Sequence, residues 1–361
     1  MKKMANKNIL DIKPYVPGKP IEEVKRELGI KKVIKLASNE SPFGPSPKVL
    51  RAIEKASLSA NRYPDGDCFY LRQELAKRLK VHPRELIFGN GSDEIIVLAV
   101  RAFVNSGDEA VMAKPSFLIY DIASRIAGAR VKAIPLKNFR YDLSEMKRAV
   151  TQKTKIVFLG NPDNPSGMYI PKDAMVGFIQ SIRKDILVFI DEAYFEYVRA
   201  KDYGYSIDLL KTYKNVIVTR TFSKMYGLAA LRIGYGIASL ETIDILNRIR
   251  EPFNVNSLAQ AAALACLRDK SYYSRLADVV EQQRQFLYGR FKQIGLVSVE
   301  SCANFILIDV KQEAAKIVKA MMRKGVIVRD MGLWGLSRFI RVTIGSAQEN
   351  RQLIKTLEEV L

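Results

Sequence analysis

Residues 216–235 read VIVTRTFSKMYGLAALRIGY. The β-branched run Val216, Ile217 and Val218 has the composition of a buried strand, and the hydroxyls of Thr221 and Ser223 mark its end. Lys224 follows at once, then Gly227 and, eight residues past the lysine, Arg232. A lysine beside a buried strand is out of place, because an ammonium group prefers water. Burial there lowers its pKa from about 10.4 and leaves a neutral, nucleophilic amine.

Working outward, short apolar strands alternate with amphipathic helices on both sides of this stretch. Strand patterns appear at ELIFGN (85–90), EAVMA (109–113), RVKAIPL (130–136), KIVFLG (155–160), ILVFID (186–191) and NVIVTR (215–220). Between them lie helical patterns such as SDEIIVLAVRAF (92–103), FLIYDIASRIAG (117–128) and DAMVGFIQSIRK (173–184). Doubly apolar strands spaced by helices predict an α/β fold with a mostly parallel sheet covered on both faces. Such sheets bind ligands beyond the carboxyl ends of their strands. After residue 240 the pattern changes to long helical runs, including 257–291, and to the strands VSVE, NFILIDV and FIRVTIG, a smaller α+β domain. The first 45 residues, rich in Pro, Gly and Lys, read as an arm that packs on the small domain or a neighbouring subunit. The expected division is therefore 1–45, 46–245 and 246–361.

A chain of 361 residues is long enough for one large domain and one smaller. With 48% apolar and 27% charged residues and no apolar run of 18, it has the composition of a soluble protein without a membrane span. The opening MKKMANKNILDIKPY lacks the apolar core of a signal peptide, so a cytoplasmic location is expected. Cys68, Cys266 and Cys302, odd in number and far apart, predict reduced thiols. His82 is the single histidine, which excludes multi-histidine metal sites; in KVHPREL it reads as a loop residue. A net charge of +20 raises nucleic acid as a partner, but the basic residues are dispersed, and anionic small molecules suit that pattern better.

The strand ends carry the chemistry. Gly89-Asn90-Gly91-Ser92-Asp93-Glu94 closes a strand and opens a helix, where free N–H groups of Ser92 and Asp93 and the helix dipole favour a phosphate. Asp191, at the end of ILVFI, calls for a cationic ligand or costs free energy by its burial. Thr221, Ser223 and Arg232 suit a phosphate. Arg341, inside the apolar strand FIRVTIG, needs an anionic partner, and Arg329 in VIVRDMGLWGL is a second such candidate.

Together these segments resemble the pyridoxal-phosphate (PLP) aminotransferases of fold type I, class I and II, over nearly the whole chain from about Tyr15. The resemblance implies that Lys224 carries the cofactor covalently, that Asp191 faces the pyridinium nitrogen and that Asn164 and Tyr194 bond the phenolic oxygen O3′. Phe117 would stack on the ring where the family often has tyrosine, and in Asn161-Pro162-Asp163-Asn164-Pro165-Ser166-Gly167 a serine replaces the usual threonine. Ser92, Asp93, Thr221, Ser223 and Arg232 would hold the phosphate, with Tyr63 reaching it from a second copy of the chain, which makes a homodimer with shared active sites. Tyr15, Asn39, Arg329 and Arg341 match the substrate-contacting positions. The segments KPYVPGKP, LASNESPFGPSP, GNGSDE and RDMGLWGL resemble the histidinol-phosphate aminotransferase branch, which implies amino transfer between histidinol phosphate and 2-oxoglutarate. Aromatic amino acid transfer, threonine-phosphate decarboxylation on the same fold, and a non-catalytic basic phosphate- or nucleic-acid-binding protein remain as alternatives.

Overall fold

The computed structural model describes residues 3–14 and 17–361. Two-residue β1 (Ile34–Lys35) belongs to the N-terminal segment. Seven strands then build the main sheet: β2 (Leu86–Gly89), β3 (Glu109–Lys114), β4 (Arg130–Pro135), β5 (Thr154–Gly160), β6 (Leu187–Asp191), β7 (Val216–Thr221) and β8 (Gly234–Ala238). Their order is β2-β8-β7-β6-β5-β3-β4. Only β8 runs against its neighbours. The other six share one direction, so their carboxyl ends meet at one rim.

The apolar runs form these strands because both faces are covered. Ile186, Val188, Phe189 and Ile190 have no exposed surface, and neither do Val216, Ile217 and Val218. Each such side chain contributes about 1.5–3 kcal/mol through its removal from water. The reversed strand β8 was not predicted from the sequence, and it matters for the site. Because it starts where β7 ends, with Thr221 opposite Gly234, it brings Arg232 back to the same rim.

The rest of the chain closes that rim. Strands β9 (Val297–Ser298), β10 (Phe305–Asp309), β11 (Val326–Ile327), β12 (Arg329–Asp330) and β13 (Phe339–Thr343) follow in the C-terminal third. A second sheet has the order β12-β13-β10-β9, while β11 pairs in parallel with β1. The N-terminal segment is thus stitched to the C-terminal part by Ile34 opposite Val326 and Lys35 opposite Ile327. The single helical run at 257–291 is two helices, Ser257–Arg268 and Lys270–Gln293. The chain leaves helical geometry at the buried Asp269, whose carboxylate accepts Lys48 Nζ at 3.0 Å. The ion pair ties the break to helix Pro47–Ser57, which packs on Ser257–Arg268.

Three thiols are free: Cys68 and Cys266 are buried and Cys302 is half-buried. His82 is exposed and its Nδ1 accepts the Arg84 N–H, as a loop residue capping a short turn does. Among the described residues, no helix is long and apolar enough to cross a membrane.

Candidate active site

A cavity of about 420 Å³ opens at the rim where β3, β5, β6 and β7 end. Its wall holds Lys224, Asp191, Asn164, Tyr194, Phe117, Ser92 and Asp93. Thr221, Ser223, Arg232, Asn39, Arg329 and Arg341 complete the set. Ala37 and Arg341, 304 positions apart in the chain, meet here because the N-terminal segment and the C-terminal sheet close over the rim where the parallel strands end.

Lys224 follows the turn that closes β7, and its Nζ lies 3.4 Å from the Ser38 carbonyl and 5.8 Å from the centre of the Tyr194 ring. Enclosure away from water, reinforced by the positive charge of Arg341, lowers its pKa to about 8. The amine is therefore neutral, and nucleophilic, in roughly a tenth of molecules at pH 7 and more above it. Gly227 allows the turn: its φ is +69°, and a Cβ there would lie 3.0 Å from the Gly44 backbone. The N-terminal segment crosses over the lysine loop at that point.

Asp191 ends β6 and is 6% exposed. Its carboxylate accepts the Tyr120 hydroxyl at 2.8 Å, the Ala193 N–H at 3.2 Å and the Thr219 hydroxyl at 3.4 Å. Burial raises its pKa to about 6, against the opposing pull of the Tyr120 hydrogen bond. A carboxylate held only by neutral donors in a buried rim favours a cation delivered into the cavity. The adjacent acid has a different task, because Glu192 pairs with buried Arg220 at 2.7 Å.

Helix Ser92–Phe103 begins at Gly91, whose φ of +83° turns the first N–H groups into the cavity wall. Arg232, itself left-handed at φ 54°, donates toward Ser223 Oγ at 3.5 Å and lies 3.4 Å from Asp93. The glycine at 91 is needed for this approach: a Cβ would collide with the Arg232 guanidinium. Free helix N–H groups, two hydroxyls and a guanidinium form an anion cradle. Asp93 pairs with Arg232, so its backbone rather than its carboxylate suits a phosphate.

On the opposite wall, Arg341 donates to the Asn164 side-chain oxygen and to the Ala37 carbonyl. That leaves the Asn164 Nδ2 as the donor end. Asn39 Nδ2 donates to the Tyr194 hydroxyl at 3.0 Å, and its backbone N–H donates to Thr343 Oγ1. Arg329 is buried with its guanidinium 5.2 Å from the centre of the Trp334 ring. Trp334 in turn donates to the Ser116 carbonyl at 3.0 Å, linking RDMGLWGL to the loop of Phe117.

One sequence-derived candidate stands apart. Tyr63 is 83% exposed and stacks on Phe253 at 4.8 Å, outside the cavity wall. Tyr15 lies outside the described residues. Conversely, Tyr120 and Glu40 line the cavity and were not singled out by motif. Tyr120 reads as a core aromatic on an apolar helix face, and its hydroxyl partner lies 71 residues away.

The residues present fit PLP. A lysine with a lowered pKa, an acid awaiting a cation and an anion cradle surround one space, which is what an aldehyde, a pyridine nitrogen and a phosphate on one molecule require. These features define the site of a fold type I enzyme that uses this cofactor. The chain belongs to the class I and II aminotransferases, matching that family over residues 31–357. It is 47% identical to the histidinol-phosphate aminotransferase of Moorella thermoacetica over 98% of this chain and 92% of the relative. The enzyme of the same name from Caldicellulosiruptor saccharolyticus is 45% identical, over 99% and 100% of the two chains. The crystal structure of histidinol-phosphate aminotransferase from Sinorhizobium meliloti in complex with pyridoxal-5′-phosphate superposes with a TM-score of 0.92. That match has 32% identity and covers 99% of this chain and 97% of the other.

Proposed function

We propose that the protein transfers an amino group between histidinol phosphate and 2-oxoglutarate, giving imidazole acetol phosphate and glutamate, a step of histidine biosynthesis. The observation that carries this reading is the convergence of Lys224, Asp191 and Asn164 on one cavity that also holds Arg329 and Arg341. The relatives' names supply the substrate, and the two arginines suit its phosphate and the carboxylates of the second substrate pair.

When bound, PLP supplies an electron sink for the charge left on the substrate carbon. Lys224 Nζ would hold the cofactor, and as a free amine it would take up the proton leaving the substrate's amine-bearing carbon, a task suited to an amine with a pKa of about 8. Asp191 would hold a proton on the ring nitrogen. Asn164 and Tyr194 would hold O3′, and Phe117 would pack on the ring face. Ser92, the Asp93 N–H, Thr221, Ser223 and Arg232 fix the phosphate, so the reacting end stays aligned with Lys224.

The exposed Tyr63 belongs to the same reading. With Phe253 it forms an exposed aromatic pair, and Phe69 and Tyr70, at 51% and 74% exposure, form another nearby in the sequence; a second copy of the chain would cover them. In the homodimer Tyr63 reaches the partner's phosphate cradle. The seven-stranded sheet lies within residues 86–238 and the four-stranded sheet within 297–343, which supports a large and a small domain after an arm to residue 45, with helix Leu240–Asn247 spanning the junction placed at 245. The three unpaired cysteines support a cytoplasmic location.

Half-reactions test the assignment. Purified protein loaded with PLP should show a visible band that histidinol phosphate and glutamate each convert, while phenylalanine and threonine phosphate react far more slowly. Lys224→Ala should lower turnover by at least about 10³-fold and lose the band that borohydride bleaches. Transamination by Lys224→Ala at the parent rate would refute the assignment, and release of carbon dioxide from threonine phosphate would replace it.

A further inference from the structure

The geometry points to Glu40 as the residue that selects the substrate's ring, its carboxylate accepting the imidazole N–H. This inference rests on the substrate reading above and concerns the end of the molecule away from the transferred amine. Of the charged groups on the cavity wall, Lys224 and Asp191 serve the cofactor, while Arg232 and Asp93 pair with each other at the phosphate cradle. Arg329, Arg341 and Glu40 remain. Two guanidinium groups and one carboxylate complement a substrate with a phosphate dianion at one end and an imidazole at the other. The imidazole ring has an ordinary pKa near ~6.5, so it presents an N–H when neutral and two when charged.

The chain path places Glu40 on the substrate side. Arg341 donates to the Ala37 carbonyl at 3.1 Å, Lys224 approaches the Ser38 carbonyl, and Asn39 reaches the Tyr194 hydroxyl. Residues 37–39 therefore run from Arg341 past the reactive amine, and Glu40 is the next residue along that wall. The backbone is held in this course by Asn39, which is left-handed at φ 55° and is 1% exposed. The negative charge of Glu40 is near enough to act on the Lys224 amine, in opposition to Arg341.

Glu40 is also pre-positioned. Both carboxylate oxygens lie 3.1 Å from Lys35 Nζ, on the strand β1 that β11 holds in place. A carboxylate offers about four lone-pair directions, so this single lysine leaves acceptor capacity for a ring N–H. Its side chain lines the cavity and is 44% exposed, so it can meet a group that enters from solvent. Recognition by hydrogen bond is the form of selectivity that discriminates most strongly against analogues lacking the donor.

The test compares wild type, Glu40→Gln and Glu40→Asp in PLP-loaded form, following the visible band in half-reactions with histidinol phosphate and with glutamate. Melting temperature and PLP affinity are measured beside them. The ratio of the two kcat/KM values, histidinol phosphate over glutamate, should fall about tenfold in Glu40→Gln. The change should fall mainly on KM for histidinol phosphate, and Glu40→Asp should recover part of the ratio. An unchanged ratio, or equal losses on both substrates, overturns the role of Glu40 while leaving the substrate reading intact. A wild type that reacts with glutamate but not with histidinol phosphate overturns the substrate reading, and this inference with it.

Discussion

Replacing Tyr120 by Phe removes one hydroxyl and tests how the acid at the end of β6 is kept ionised. The Tyr120 hydroxyl donates to Asp191 at 2.8 Å, with both residues buried. Burial and the nearby carboxylate push the Tyr120 pKa well above its usual value, so it remains a neutral donor throughout the working range. A hydrogen bond to a charged acceptor contributes about 1.5–3 kcal/mol. At 1.36 kcal/mol per pKa unit, its loss raises Asp191 by roughly one to two units, from about 6 to roughly 7–8. The folded pKa lies above the unfolded carboxylate value, so the folded state binds more protons over this interval. Stability from the protonated acid is therefore fully present below about pH 4 and is lost as pH rises through the folded pKa. In wild type that loss ends soon above pH 6, whereas in Tyr120→Phe it continues to roughly pH 8. Urea unfolding of the cofactor-free proteins from pH 5 to 9 reads the difference, because all other titrations cancel. The variant should become less stable than wild type by a further ~1.5–3 kcal/mol between pH 6 and 8 and then run parallel. Its PLP affinity should be weak at pH 7 and recover toward pH 9. Stability curves that stay parallel across the whole range would refute the coupling between Tyr120 and Asp191.

Two further outcomes follow from close packing and from exposed surface. At Gly234 a Cβ would lie 2.5 Å from the Ser92 backbone nitrogen and 2.8 Å from the Gly91 carbonyl carbon, atoms that cannot step aside singly. Gly234→Ala should cost about 1–3 kcal/mol by urea unfolding and weaken PLP binding at least tenfold, since it displaces the cradle; affinity within twofold of the parent contradicts this. The aromatic surface around Tyr63 predicts a dimer in sedimentation equilibrium, with Tyr63→Phe weakening PLP binding several-fold; a fully active monomer contradicts the shared site.

Much of the site was legible because parallel sheets obey a simple rule. Lys224, Asp191 and Asn164 each follow an apolar run, and runs separated by helices become parallel strands whose carboxyl ends coincide. Their convergence could thus be expected before any distance was known. Arg232 was harder, since its return to the rim depends on β8 running backwards beside β7. A five-residue strand containing two glycines gives little periodicity from which to infer a direction. The break at Asp269 was also hidden, because the helical pattern continues through it and the lysine that pairs with it is 221 residues earlier.

The sequence by itself determined the alternation of layers, the rim and the presence of a lysine where a buried strand stops, because these follow from local hydrophobic period and from polar residues placed where strands stop. Tertiary structure alone decided which side chains support them: Tyr120 bonded to Asp191, Trp334 tied to the Phe117 loop, and Glu40 brought to the cavity wall next to residues 37–39. Periodicity reports that a side chain is buried but is silent about its partner. That partner is fixed only when distant segments pack and each buried polar group must find its hydrogen bond.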